Sequence, residues 1–318
     1  MKTATKAKAR KTPHPKPVDA LVYPRFSGVP TFMRLPHVPD AAELDLALIG
    51  IPFDGGTTYR PGPRFGPRNI RVQSAMIRPW NPALKANPFE KWRIGDFGDL
   101  SINPLSIEDT YRRITEQLIK VLSAGAKTVC IGGDHSILLP TLRAIHHQFG
   151  PVAFIQLDAH GDTWGGYFGS PHSHGTVVKY AVEEGLITKG CALQVGLRGQ
   201  VYGEDDFEFG RKHGIKMISS EDFHRDGIEP IERHVKKFGK RPVYVTFDID
   251  VVDPAFAPGT GTPQVGGLSS AQALALVRCL KGVNLVGCDL VEVSPPYDSQ
   301  EITSLLAANL IYEMLCLF

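Results

Sequence analysis

The chain has no C-x-x-C pair, no internal repeat, and no low-complexity linker after residue 20. Its five cysteines, Cys130, Cys191, Cys279, Cys288 and Cys316, are scattered and odd in number. That pattern argues against a disulfide framework and a thiolate zinc site, and it suits a reducing, cytoplasmic compartment. No apolar run approaches the ~20 residues of a membrane-spanning helix. The N-terminus is polar, so no secretory signal is expected. An excess of either charge is also lacking, with 35 Lys and Arg against 33 Asp and Glu and a net charge of +2. Near-balance argues against nucleic acid and against a membrane surface as the main partner.

The 318 residues are 42% hydrophobic, enough to bury a sizeable core. Lys2, Lys6, Lys8, Arg10, Lys11 and Lys16 sit in a stretch without acids, so residues 1–20 read as a basic, disordered tail. From residue 21 to 318 a single domain is expected. Continuous apolar, β-branched runs mark strands covered on both faces: Leu46–Ile51, Thr128–Ile131, Val152–Leu157, Ala192–Gly196, Ile215–Ile218, Val243–Phe247 and Leu285–Cys288. Helical patterns lie between or after them at Ile107–Ala124, Leu138–Gln148, Thr176–Glu184, Ser269–Leu280 and Ile302–Leu317. Ser219 and Ser269 open sequences that look like helix starts. Strands alternating with helices imply an α/β fold with a mainly parallel sheet. Ligands bind such sheets beyond the carboxyl ends of the strands, where the Gly- and Pro-rich loops 52–68, 161–175 and 254–267 fall.

Three of the strands run into residues of metal-ligand type: Gly132-Gly-Asp-His135, Asp158-Ala-His-Gly-Asp162 and Asp248-Ile-Asp250. Alternate residues of an extended segment share a side, so Asp158 can aim with His160 and Asp248 with Asp250. Asp162 needs a turn to return to the same centre. Four carboxylates at one rim would repel one another unless cations neutralised them. Together with His135 and His160 they supply enough donors for two divalent ions. Imidazole and carboxylate without thiolate suit Mn²⁺, Ni²⁺, Co²⁺ or Zn²⁺. A paired-metal site can produce hydroxide near neutral pH, which points to a hydrolase. His174, or His172 two residues earlier, is a candidate proton carrier. Glu292, after another strand, either binds a cationic substrate group or is a salt-bridged structural acid. Asp134 and Asp253 read as turn-forming or supporting groups.

These motifs, with His174-Gly-Thr176, Phe247-Asp-Ile-Asp-Val-Val-Asp-Pro254 and Glu292-Val-Ser-Pro295, resemble the ureohydrolase family. That family includes arginase, agmatinase, guanidinobutyrase, guanidinopropionase and proclavaminate amidinohydrolase. Segments 30–36, 54–67 and 254–263 are similar to its agmatinase-type branch. The resemblance implies a three-layer αβα arginase-like fold around a mainly parallel eight-stranded sheet. It implies two Mn²⁺ ions, or Ni²⁺ as the alternative. One ion would be held by His135, Asp158, Asp162 and Asp248, and the other by Asp158, His160, Asp248 and Asp250. The implied reaction releases urea and an amine from a small guanidino compound. Glu292 would hold the guanidinium, and Asp162 or His174 would carry the proton. A homo-oligomer, trimer or hexamer, is also implied.

The chain departs from the family pattern at Trp164, where many relatives carry Asn or Tyr. Trp164 either packs against a neighbouring loop or dries and shortens the substrate pocket. The second case favours a small or N-alkylated guanidine, or a metformin-like biguanide, over a long acidic tail. By position, Met33, Arg34, His37, Tyr59, Arg60, Arg64 and Arg198 are candidates for reading the substrate tail, and Arg64 and Arg68 are alternatively structural. Two further alternatives are a formimino-group hydrolase and a silent subunit that assembles with an active paralogous subunit.

Overall fold

The computed structural model describes residues 14–203 and 205–318. Most of the basic tail therefore lies outside the described residues. Within them, the Val18 N–H donates to the Arg34 carbonyl, and the Arg34 guanidinium donates to the carbonyls of Val18, Tyr23 and Pro24.

Eight strands form one sheet: β1 (Leu46–Ile51), β2 (Ile94–Asp99), β3 (Lys127–Gly132), β4 (Val152–Leu157), β5 (Ile187–Leu197), β6 (Ile215–Ser219), β7 (Pro242–Asp248) and β8 (Asn284–Val291). Their order is β2-β1-β3-β8-β7-β4-β5-β6, and every adjacent pair is parallel. Parallel pairing needs long crossovers, and helices on both faces provide them. The helices Ile107–Ser123, Leu138–Phe149 and Val177–Glu183 share one core with Ala47, Ile49 and Ile51 of β1. Helices that include Ser270–Arg278 and Ile302–Leu315 share the other core with Leu46 and Leu48. Period-two alternation between two apolar layers is what makes these strands read as unbroken hydrophobic runs.

Seven strands and five helices match the elements expected from sequence. β2 was not expected. It is an edge strand of sequence Ile-Gly-Asp-Phe-Gly-Asp, with an irregularity in its register, and its glycines and aspartates are residues typical of turns. The helix Gly66–Gln73 was also missed because its first turn carries Gly66 and Pro67, which resemble loop. Both expected helix starts are capping boxes, Ser219 with Asp222 and Ser269 with Gln272.

Sheet order is what builds the site. β3, β8, β7 and β4 are consecutive neighbours. Their carboxyl ends lead into His135, Glu292, Asp248 with Asp250, and Asp158 with His160 and Asp162 respectively.

Candidate active site

Two donor groups form where these four strands end. His135, Asp158 and Asp162 place one ligand atom each within 4.8 Å of one another, and so do Asp158, His160 and Asp250. Asp158 belongs to both groups, and Asp248 adjoins the first. His135 Nδ1 lies 3.1 Å from Asp158 Oδ2, 2.9 Å from Asp162 Oδ2 and 3.4 Å from Asp248 Oδ2. Among the described residues it makes no directed hydrogen bond to any of them. His160 Nδ1 lies 3.0 Å from Asp250 Oδ2 and 3.6 Å from Asp158 Oδ1. The turn that Asp162 needs is a left-handed backbone conformation with φ 51°, and Glu292 adopts another with φ 65°. Non-glycine residues rarely hold that conformation, and such strain gathers at functional sites.

The electrostatics of this donor set fit divalent cations. Burial, then the charges of Asp250 and Asp158, push the Asp248 carboxyl well above its usual range. Burial and the Asp158 charge push Asp162 up to about 6. Burial pulls His135 down, but Asp158, Asp162 and Asp248 outweigh it and hold the imidazole well above its usual value. His160 is raised in the same way, with Asp250 and Asp158 overcoming burial. Asp158 goes the other way: burial raises it, but hydrogen bonds and charge from His135 and His160 overcome burial and hold it well below its usual range. A buried cluster in which Asp248 and Asp162 gather protons and both histidines become cationic is short of positive charge. Two bound ions would supply that charge and displace the protons.

A second set of side chains braces the donors. His135 Nε2 is 2.8 Å from Thr246 Oγ1, and Thr246 Oγ1 donates to Asp289 Oδ1 at 2.5 Å. The Tyr244 hydroxyl donates to the other oxygen of Asp289 at 2.6 Å. This chain points His135 Nδ1 at the carboxylates. Gln156 Nε2 donates to Asp158 Oδ2 at 2.7 Å and to Asp162 Oδ2 at 3.0 Å. Gln156 and Thr246 precede Asp158 and Asp248 by two residues, so strand periodicity carried a signal for them. Asp134 and Asp253 accept backbone N–H groups, Asp134 from Gly56 and Ser136, Asp253 from Ala255, Gly266 and Gly267. That is the supporting role expected of them.

Above the donors opens a cavity of about 700 Å³. His135, His160, Asp162, Asp248 and His174 reach it from below, and Tyr59, Arg60, Trp164, Tyr167, Phe168 and Tyr202 wall it. The Thr58 N–H donates to His174 Nε2 at 3.1 Å, and Nδ1 faces Glu292 Oε1 at 2.9 Å. Glu292 Oε1 also accepts the His135 N–H at 2.8 Å. Glu292 Oε2 is buried and has no hydrogen-bond partner among the described residues. His172 instead packs against the Tyr111 and Tyr180 rings, at 5.1 and 5.5 Å between centroids. Trp164 meets Tyr167 and Tyr202 edge-on, at 6.0 Å in each case.

The positional candidates for reading a substrate tail divide. Tyr59 and Arg60 reach the cavity; the other five do not. Arg64 pairs with Asp54, and Arg198 donates to the carbonyls of Gly196, Asp250, Val251 and Gln264. Arg34 clamps the N-terminal segment as described, beside the buried Met33, and His37 bridges to Asp96 of β2. Sequence reasoning missed Thr58, Tyr167, Phe168 and Tyr202, which come from irregular loops with no periodic signal.

A protein-family model described as the arginase family matches residues 44–316. The chain belongs to that family. It is 47% identical to the guanidinobutyrase of Pseudomonas aeruginosa over 305 residues, which is 95% of this chain and 96% of that protein. It is 46% identical to the guanidinopropionase of the same organism over 306 residues, 96% of each chain. The solved structure of proclavaminate amidino hydrolase from Streptomyces clavuligerus superposes with a TM-score of 0.88 at 42% identity, covering 93% of this chain and all of that one. This arginase-family chain is thus a metal-dependent ureohydrolase that cleaves guanidino compounds to urea and an amine, and it carries the residues of the family's binuclear metal site. No helix among the described residues is long and apolar enough to cross a membrane.

Proposed function

We propose that the chain releases urea from a small guanidino compound whose substituent is apolar or N-alkylated. His135, Asp158, Asp162 and Asp248 hold one ion, and Asp158, His160, Asp248 and Asp250 hold the other, with Asp158 and Asp248 shared. Mn²⁺ is the expected occupant and Ni²⁺ the alternative, since both accept this donor set. When bound, the pair would acidify a water, supply hydroxide near neutral pH and stabilise negative charge on the attacking oxygen.

The buried, unpartnered Glu292 Oε2 beside the donor cluster is the observation that carries this reading. A carboxylate matches the planar N–H edge of a guanidinium and binds it by charge-assisted hydrogen bonds. His174 lies between Glu292 and Thr58 and lines the cavity, which supports its role as the group that passes a proton to the departing amine. Asp162, which also lines the cavity, is the alternative acid-base group.

Trp164, Tyr167, Phe168 and Tyr202 support the choice of substituent. Aromatic faces attract alkylated cations and pack apolar groups. A second reading, a guanidino acid, is supported by Arg60, which lines the cavity with its guanidinium 5.0 Å from the Tyr297 ring and 5.4 Å from the Tyr59 ring. Assembly as a homo-oligomer, trimer or hexamer, is supported by the exposed Leu21 and Phe26 side chains. A cytoplasmic site of action is supported by five free thiols.

The test is urea release by purified protein reconstituted separately with Mn²⁺ and Ni²⁺. The panel runs over guanidine, N-methylated guanidines, biguanides, guanidinopropionate, guanidinobutyrate, agmatine and arginine. Preference for the alkylated compounds is expected, and clear preference for guanidinobutyrate selects the second reading. Formamide released from a formimino compound, or turnover only after a paralogous subunit is added, would overturn both.

A further inference from the structure

We infer that Gln156, oriented by Gln194, is a positioning residue that presets Asp158 and Asp162 for metal binding. The two glutamines face each other on neighbouring strands, since Gln156 of β4 is in register with Gln194 of β5. Both are buried, at 0% and 1% exposure, so each amide must be satisfied internally. Gln194 Nε2 donates to Gln156 Oε1 at 2.7 Å and to the Gly161 carbonyl at 2.8 Å. Those two bonds fix which way Gln156 points. Its nitrogen donates to Asp158 Oδ2 at 2.7 Å and Asp162 Oδ2 at 3.0 Å. The flipped amide would set Gln156 Oε1 against two carboxylate oxygens and the two amide nitrogens against each other.

The oxygens that Gln156 grips are those that converge on His135 Nδ1. Each carboxylate oxygen has two lone pairs. Gln156 occupies one and leaves the other for an ion. The amide is neutral, so it relieves repulsion between Asp158 and Asp162 without adding a cation that would compete with the metal. With nitrogen inward it is no ligand itself. Gln194 also ties the turn at Gly161, next to the left-handed Asp162, so the same pair holds the backbone that returns Asp162 to the centre.

This inference rests on the reading that these carboxylates hold metal, and the wild-type titration tests that reading separately. The experiment is Mn²⁺ titration of metal-free full-length protein against a chelator, without substrate, alongside thermal melting of the metal-free protein. Wild type should bind two equivalents. Gln156→Met, similar in shape but without a donor, should weaken one of them by about 10–100-fold, the effect expected of an outer-shell partner. Gln194→Met should weaken the same ion less, because Gln156 can still donate once its amide finds the right orientation. Leu276→Ala, in the core away from the site, controls for stability and should lower the melting temperature without changing affinity. Wild-type affinity in Gln156→Met, with only a lower melting temperature, would make Gln156 a packing residue and overturn the proposal. So would equal weakening by Leu276→Ala. Failure of wild type to bind two ions would instead defeat the metal assignment.

Discussion

The floor of the site and its wall are built by different physics. The floor sits at the ends of four adjacent strands, and its acids are nearly sealed from solvent, with Asp158 at 1% and Asp250 at 0% exposure. Three of the donors are braced by buried polar partners, His135 by Thr246 and Glu292, and Asp158 and Asp162 by Gln156. The wall comes from irregular loops, and parts of it stand open to water, with Phe168 at 88% and Tyr202 at 81% exposure. A sheet holds ligands in rigid register, whereas loops vary without cost to the core. Under the proposed function, the reaction accordingly falls to the floor and the choice of substrate to the wall.

The largest effect is expected at the floor. Asp248→Ala should remove urea release and bound metal together, as read by elemental analysis and a urea assay on one preparation. If the variant kept both ions and turned over, the floor would not hold the chemistry. Glu292→Gln comes next. It keeps an acceptor for the His135 N–H and loses the charge proposed to bind the guanidinium. A charged hydrogen bond is worth about 1.5–3 kcal/mol, so kcat/KM should fall about 10–100-fold with metal content unchanged. An undiminished kcat/KM would return Glu292 to a structural role. Arg60→Ala, at the wall, should lower turnover of guanidino acids by tenfold or less, because an exposed ion pair contributes about 0.2–1 kcal/mol. A uniform loss across all substrates would place Arg60 outside substrate recognition. The smallest effect belongs far from both regions. Ser269→Ala removes a helix cap and should cost about 1 kcal/mol in denaturant melts with kinetics intact.

The same contrast explains what the sequence made legible. The central strands announce themselves as apolar runs, and each ligand cluster follows directly on one, so chain position already implied a shared rim. β2 was illegible because its two glycines and two aspartates read as turn residues. The six proposed ligands and Glu292 were readable as residue types at or just past strand ends, and His174 as a histidine in the loop after the second cluster. What was not readable was contact across strands. Gln194 meets Gln156 only through sheet register, and Thr58 reaches His174 across 116 residues of chain. The wall was least legible. Tyr202 and Phe168 lie in loops whose course no periodicity encodes, and of seven tail-reading candidates chosen by position only Tyr59 and Arg60 reach the cavity. Sequence position cannot distinguish an arginine that lines a cavity from one, such as Arg198, that spends its donors on backbone carbonyls.

One measurement tests the separation of floor from wall most directly. It is the ratio of kcat/KM for an N-alkylguanidine to that for guanidinobutyrate in wild type and Trp164→Ala, with metal counted in the same samples. Loss of an indole face that contacts an alkylated cation should lower the ratio by about 5–30-fold, as a contact worth about 1–2 kcal/mol implies. Both proteins should retain two ions per chain. A ratio that does not move, or a Trp164→Ala protein that loses its metal, would contradict the account.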